Sequence, residues 1–496
     1  MNFQGQTSKD AKPWLLAIVL VLLSSSIHWG QVEFRAIGGP GIDRGEVVLP
    51  HANGAYLLGS TQPEGADLLR PYIVHYNNDL TVGWSVVLTS PDALEWIVDG
   101  RLDTLDHAQI LTQRLKPDGT YAAAVHTLSN VGEPGSTLLL DGIAPNFIPA
   151  KLCEWQGQMW VVGQSGNRLV AADLTLSNVL EWGGSVGQED FISDVIVHDN
   201  ILIVVGRRLE DGVSKAAAWG VYPLGQLAFE IITPLEAGWT ESRIDGIDVR
   251  NNSIRMLRTF RFTDDNGTEL TTHDFLALNV SNGEAGEFWA AGEGEEGRDL
   301  IWTEQGVAKL LKSDNDDSLD DAFLITHVSA SSSYVSQGHF GTSFEEDPSR
   351  LSLGPDGSVW AAGSTRGVLD GSWSACLLRL DSLGPLGSWS NDNFGFGVVN
   401  DPTLLDFSAI KEPVEAQTSW GCHPNPAFDR LHLVVPEALA SSSGALSWTI
   451  RDARGRVVAT GSGLDVDVTP LHAGSYTLEG SGQGRRFALP FVKSSR

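Results

Sequence analysis

Cysteine and methionine are nearly missing from this chain of 496 residues, with three of each. Cys153, Cys376 and Cys422 are odd in number and widely spaced, so neither a disulfide framework nor a cysteine metal cluster follows, and packing must supply the stability. Basic residues are also scarce: 33 Lys and Arg face 62 Asp and Glu, a formal net charge of −29. A surface of that sign repels phosphates and argues against a nucleic-acid partner. No apolar run is long enough for an integral membrane span. The longest, from Trp14 to Leu23, is about half of the roughly 20 residues that a spanning helix needs. His-Glu-x-x-His, paired Cys-x-x-Cys and phosphate-binding Gly loops are absent. That lowers the expectation of an enzyme without removing it, because a site assembled from several loops leaves no linear motif.

Glycine (54) and tryptophan (16) are abundant, a mix suited to many short strands joined by tight turns. At the N-terminus, Lys9 and Lys12 precede the apolar run, and Ser24, Ser25 and Ser26 follow it. The order of charge, apolar stretch and small residues predicts a signal peptide over residues 1–30.

One pattern then recurs: an apolar strand, a tight turn, and a second apolar strand ending in Gly or another small residue. Its clearest copies are Val47–Thr61, turning at Asn53-Gly54, and Leu351–Thr365, turning at Asp356-Gly357. Weaker copies turn at Asp118-Gly119, Gln156-Gly157, Asp199-Asn200, Asn251-Asn252 and Gln305-Gly306, at intervals of 38 to 65 residues. Such pairs supply the positive φ angles of two-residue hairpin turns, and a second strand pair follows each hairpin. Four strands per unit, about seven units and no convincing helix predict an all-β fold, a β-propeller over residues 31–405. Six or eight blades also fit, because the second and sixth copies are degenerate, and a sandwich or solenoid could use similar turns. The stretch Ile37–Gly45 with the Gly59-Ser60-Thr61 ending resembles the repeats of secreted bacterial propellers.

The repeat ends near Asp406, and residues 406–420 form a polar linker. Charge changes with it: from Gly421 onward there are 8 basic and 6 acidic residues, against 25 and 56 upstream. Short strands bounded by Gly and Pro predict a small immunoglobulin-like sandwich over residues 421–496. Within it come Pro424-Asn425-Pro426-Ala427, then Asp452-x-x-Gly455-Arg456, then Leu471-x-x-Gly474-x-Tyr476, and a terminal Phe-Val-Lys ending at Lys493. Those motifs in that order resemble the type A C-terminal sorting domain of the type IX secretion system, found in Bacteroidetes. His423 departs from the aromatic residue frequent there. The resemblance implies that these residues are a sorting signal and that the type IX machinery is a partner. It also implies passage to the cell surface or medium, with linkage to surface lipopolysaccharide as one outcome.

Three further stretches invite a chemical reading. Gly183-Gly184-Ser185-Val186-Gly187 matches the serine-hydrolase elbow, but the pattern lies between two expected blades, where the required helix has no place. Asp314, Asp316 and Ser318 could chelate a hard cation such as calcium, and Asp264-Asp265-Asn266-Gly267 is a weaker version. A solvated acidic loop explains both without a metal. Asp356-Gly357-Ser358-Val359-Trp360 resembles an Asp-box, although Asp abuts Gly, and Trp360 reads as blade core. No catalytic residue is assigned and no cofactor is expected. The leading expectation is a binding module for an unidentified glycan, polymer or protein; its rival is a secreted hydrolase or lyase with a site in the propeller channel.

Overall fold

A computed structural model of the chain divides into two compact units, Met1–Ile410 and Lys411–Arg496. It describes most of residues 32–380, the pair 403–404, and residues 421–423, 430–434, 447–452, most of 456–482, and 485–493. The expected signal peptide and linker lie outside the described residues.

The first unit is a seven-bladed β-propeller. Blade one is an antiparallel meander of Gly41–His51, Gly54–Pro63, Arg70–Asn77 and Val82–Val87, paired in that order. Five more blades repeat this arrangement, their first strands being Leu94–Leu102, Phe147–Trp155, Gln188–His198, Trp239–Arg250 and Glu295–Trp302. Blade seven takes three strands from the end of the propeller, Glu346–Leu353, Val359–Leu369 and Ser372–Leu380, and its fourth from the beginning. Val32–Gly38 pairs antiparallel with Ser372–Leu380, from Val32 opposite Leu380 to Ile37 opposite Ala375. The two ends of the domain are thereby held in one sheet. The first strands touch their neighbours all the way round, Gly41–His51 meeting both Leu94–Leu102 and Glu346–Leu353.

Each blade buries both faces, which explains the continuous apolar runs in the middle strands. Leu57 packs toward blade seven with Trp360 and Leu377, while its neighbour Leu58 packs toward blade two with Ile97 and Ile110. Seven such inter-blade cores alternate around the ring. Alanine runs such as Ala122-Ala123-Ala124 and Ala216-Ala217-Ala218 are fully buried and let adjacent sheets approach closely.

Apart from Gln305-Gly306, where Gln305 lies outside the described residues, the hairpin markers hold in kind but not always in detail. Gln156-Gly157, Asp199-Asn200 and Asn251-Asn252 are two-residue turns with positive φ at both positions, φ 55 and 70, 46 and 62, and 49 and 62. In blade one the turn is Ala52-Asn53, one residue earlier than expected. Asp118-Gly119 joins the second and third strands of blade two, whereas the turn equivalent to the others is Asp103–His107. Moving that marker to Leu105 makes the intervals on either side 52 and 51 residues, so the irregular early spacing was an error of phase. Asp356-Gly357 belongs to a five-residue loop, closed by Gly354 N–H donating to Ser358 O at 2.7 Å.

The second unit is a sandwich. A three-stranded sheet, Gly421–His423, Arg430–Val434 and Asp465–Asp467, accompanies a four-stranded one ordered Val457–Ser462, Ser447–Asp452, Gly474–Gly482, Arg485–Lys493. Leu431, Leu433, Trp448, Ile450, Val466, Val468 and Leu478 form its core.

Candidate functional site: the mouth of the channel

The first strand of every blade is the inner edge of its sheet and faces the channel. Each carries a β-bulge at the same place, marked by register shifts at 45/47, 97/99, 149/151, 192/194, 244/246, 297/299 and 348/350. A bulge turns one extra side chain out of the pleat and re-aims its neighbours. Seven bulges at one height therefore aim a ring of side chains at the axis.

Just past the bulge, Asp99, Asp194 and Asp299 stand on alternate blades. Each accepts a hydrogen bond from an inner-strand N–H of the following blade: Asp99 from Leu152 at 2.8 Å, Asp194 from Ile247 at 3.2 Å, Asp299 from Leu351 at 2.8 Å. Each bond joins the edge strands of two neighbouring sheets, so the carboxylates staple blade to blade. Lys151 and Arg350 occupy the matching place on two other blades. Lys151 Nζ lies 2.9 Å from Asp194 and 3.8 Å from Asp99, and Arg350 lies 3.4 Å from Asp194. Burial would raise the Asp194 carboxyl, but Lys151 and Arg350 overcome it and hold the group below its ordinary value. Asp299 goes the other way, burial pushing it up to about 6 against the pull of Arg350.

Toward the starts of the inner strands the channel widens into a cavity of about 600 Å³. Five arginines line it: Arg44, Arg207, Arg243, Arg298 and Arg350. Arg243 is bound to Asp245 at 2.6 Å and also to Glu296, and Arg298 to Asp347 at 3.0 Å. Among the described residues Arg44 and Arg207 form no ion pair; the Arg207 guanidinium stands 4.8 Å above the Phe191 ring. Arg298 Nε is buried with no hydrogen-bond partner. Burial pushes Glu46, at the bulge of blade one, up to about 7, with Arg44 opposing and Asp347 reinforcing the shift. A second cavity of about 340 Å³ lies farther along the inner strands, lined in part by Asp99, Lys151 and Asp299, with Arg350 bordering both.

A second set of polar groups lies three residues before the bulge. Asp43, Glu95, Asp190, Glu295 and Glu346 sit there, and Glu95, Asp190 and Glu346 bond to polar side chains on other strands of their own blades. Asp190 holds Arg208 through two hydrogen bonds of 2.6 and 2.9 Å, Glu346 accepts from Thr365 at 2.8 Å, and Glu95 meets His126 at 2.6 Å as well as Thr112. The Glu95, Thr112 and His126 group has the residue types of a catalytic triad, but all three side chains are buried inside the blade, out of reach of a substrate. They are polar fasteners.

Of the residues given a chemical reading in the sequence, Ser185, Asp264 and Trp360 do not line the mouth. Ser185 lies between Val179–Gly183 and Gln188–His198, so a strand follows it where an elbow needs a helix. Asp264 caps its own turn, accepting from Asn266 and Thr268 N–H groups at 2.9 and 2.7 Å. The side chains of Asp314, Asp316 and Ser318 lie outside the described residues, among which no group of three or more His, Cys, Asp or Glu is placed to hold a metal. Trp360 is buried and donates to Ser358 Oγ at 2.7 Å, a blade-core residue as expected. Cys153 and Cys376 are free thiols, burial pushing Cys153 up to about 12; the Cys422 side chain lies outside the described residues.

Of the expected sorting-signal residues, Pro424, Asn425, Pro426, Ala427 and Gly455 lie outside the described residues. Asp452 pairs with Tyr476 across two central strands, and Tyr476 donates from its hydroxyl to His472 O at 2.8 Å. Leu471 and Tyr476 pack on the sandwich core, Gly474 is opposite Lys493, and Arg456 is exposed.

Among the described residues no helix is long and apolar enough to cross a membrane. No protein-family model matches the sequence, and no curated protein matches it. Solved structures similar to the chain include a protein of unknown function from Dyadobacter fermentans (10% identity, 71% of this chain and 99% of that one, TM-score 0.41). The WD40 domain of SCAP from fission yeast is another (9%, 71% and 98%, TM-score 0.35), as is a putative 6-phosphogluconolactonase from Bacteroides uniformis (11%, 68% and 95%, TM-score 0.37). The strand pairing itself makes the first unit a propeller.

Proposed function

We propose that this is an exported recognition protein whose ligand site is the mouth of the propeller channel, delivered through type IX secretion by the unit that ends the chain. The observation that supports the binding site is the convergence of bulged inner strands on one polar cavity of about 600 Å³. Concave, pre-formed sites with a few aimed polar groups are where ligands bind. Most charges there neutralise one another and fix the walls, while Arg44 and Arg207 remain available. Soaking or titrating candidate glycans and proteins, with Arg207→Ala as the site probe, tests the reading; ligand binding indifferent to that change defeats it.

Export rests on the apolar N-terminal run and on the ordered motifs between Pro424 and Lys493. Removing Gly421–Arg496 should trap the protein in the periplasm, and undiminished surface display of the truncated form would refute the sorting role. Retention on lipopolysaccharide and release are separated by fractionating cells from medium.

A hydrolase or lyase is the second reading, and Glu46 is the observation in its favour. A carboxyl pushed to about 7 has the proton affinity of a general acid working near neutrality. Release of reducing ends from a polymer, abolished by Glu46→Gln, would establish it.

A further inference from the structure

Charge at the mouth runs against the charge of the whole protein. The chain carries −29, yet the cavity is lined by five arginines and four carboxylates, Glu46, Asp245, Glu296 and Asp347. Burial also pushes the Glu46 carboxyl up to about 7, so near neutrality it carries less than a full negative charge. In a low-dielectric concavity such an excess focuses field and favours an anion that the rest of the surface repels.

The positive groups are arranged to be used. Arg243, Arg298 and Arg350 are braced by carboxylates and shape the walls. Arg44 is exposed, and Arg207 rests on Phe191, which orients a guanidinium without consuming its N–H donors. The remaining wall is poor in apolar side chains and carries the hydroxyls of Ser193, Ser349 and Ser364. A ligand rich in hydroxyls finds both donors and acceptors on walls of Ser, Arg and carboxylate.

Resting on the reading of the mouth as the ligand site, we infer that its ligand is an acidic polysaccharide, whose oxyanion is held by Arg44 and Arg207 while its hydroxyls meet the serines and carboxylates of the wall. The oxyanion is a uronate carboxylate or a sulfate ester, both of which accept the guanidinium fork.

Calorimetric titration of the full chain tests this with four probes of similar length: oligogalacturonate, a sulfated galactan oligomer, a neutral galactan oligomer and poly-glutamate. One of the two acidic sugars should bind, identifying the oxyanion, and the neutral oligomer should not. Arg44→Ala and Arg207→Ala should each weaken that binding roughly tenfold or more, the worth of a charge-assisted hydrogen bond. Arg168→Ala, removing an exposed arginine paired with Glu181 on blade three, should leave it unchanged. A neutral oligomer that binds as well as the acidic ones, and loses affinity in Arg207→Ala, overturns the acidic ligand and leaves the site standing. Acidic-sugar binding untouched by both variants overturns the site itself. Preference for poly-glutamate, or silence from all four probes, overturns the inference.

Discussion

Replacing Lys151 by Met keeps the length and bulk of the side chain but removes the charge between Asp99 and Asp194. Both carboxylates are nearly inaccessible, 4% and 5% exposed, and Lys151 is their shared cation. Breaking a buried pair by removing one partner costs about 3–5 kcal/mol, because the other charge stays buried and uncompensated. Arg350 still reaches Asp194 at 3.4 Å, which places the expected cost at the lower end, about 3 kcal/mol. The propeller strands run from Val32 to Leu380, about 350 residues, whose unfolding entropy is about 0.7 kcal/mol/K. The melting temperature should therefore fall by about 4 °C at pH 7. The sign of the pH dependence follows from Asp194. Its folded value lies below its unfolded one, so its contribution is present above the unfolded value and lost as pH falls through the folded one. Without Lys151 the Asp194 carboxyl takes up its proton at higher pH, so the deficit should narrow on acidification from pH 7 toward 4. Scanning calorimetry across that range is the assay, with Lys151→Met/Asp194→Asn expected to recover part of the loss. An unchanged melting temperature at pH 7 would show that Asp99, Lys151 and Asp194 are solvated and do not hold the blades together.

Three further outcomes are expected. Glu46→Gln should gain stability relative to the unaltered protein as pH rises from about 5 to 8: its folded value, about 7, lies above the unfolded one, so the unaltered protein loses stability through that window and the amide does not. A thermal-shift series in which the difference stays flat would contradict this. Gly206→Ala should destabilise blade four by about 1–3 kcal/mol, since a Cβ there would stand 1.9 Å from the Phe191 carbonyl oxygen, and denaturant midpoints will show whether the backbone yields at no cost. Ile37→Ala, in the strand that closes the ring, should cost about 2–5 kcal/mol and expose the closure to protease; a variant as resistant as the parent would mean that the first strand is dispensable.

The blade pattern was legible because a propeller repeats its local chemistry. Gly59, Gly163, Gly206 and Gly363 end the apolar run inside the second strand, and the structure supplies the reason: each faces an inner-strand carbonyl beside the bulge, at 2.2, 2.3, 1.9 and 2.6 Å from a would-be Cβ. The phase error in blade two arose because Asp118-Gly119 has the stronger turn signature, while the equivalent turn, Asp103–His107, lacks glycine and is held by Asp103 accepting from the Leu105 and His107 N–H groups. The mouth was illegible for a different reason. Arg44, Arg207, Arg243 and Arg298 come from four blades, and nothing in a linear scan says that they share a cavity. One signal could have reached them: aligning the blades on the position three residues before the bulge, an acid in five of the seven (Asp43, Glu95, Asp190, Glu295 and Glu346) and Ser242 in blade five, puts Glu46, Asp245 and Arg298 at one height, and with it the ring.

The claim that the mouth takes the ligand is tested most directly by hydrogen exchange of the full chain with and without the acidic oligosaccharide that binds it. Protection should concentrate at residues 44–46, 191–193, 243–245, 296–298 and 347–350, the starts of the inner strands around the cavity. Protection confined to the outer strands of the blades, to the hairpins at the opposite ends of the inner strands, or to the sandwich would contradict it.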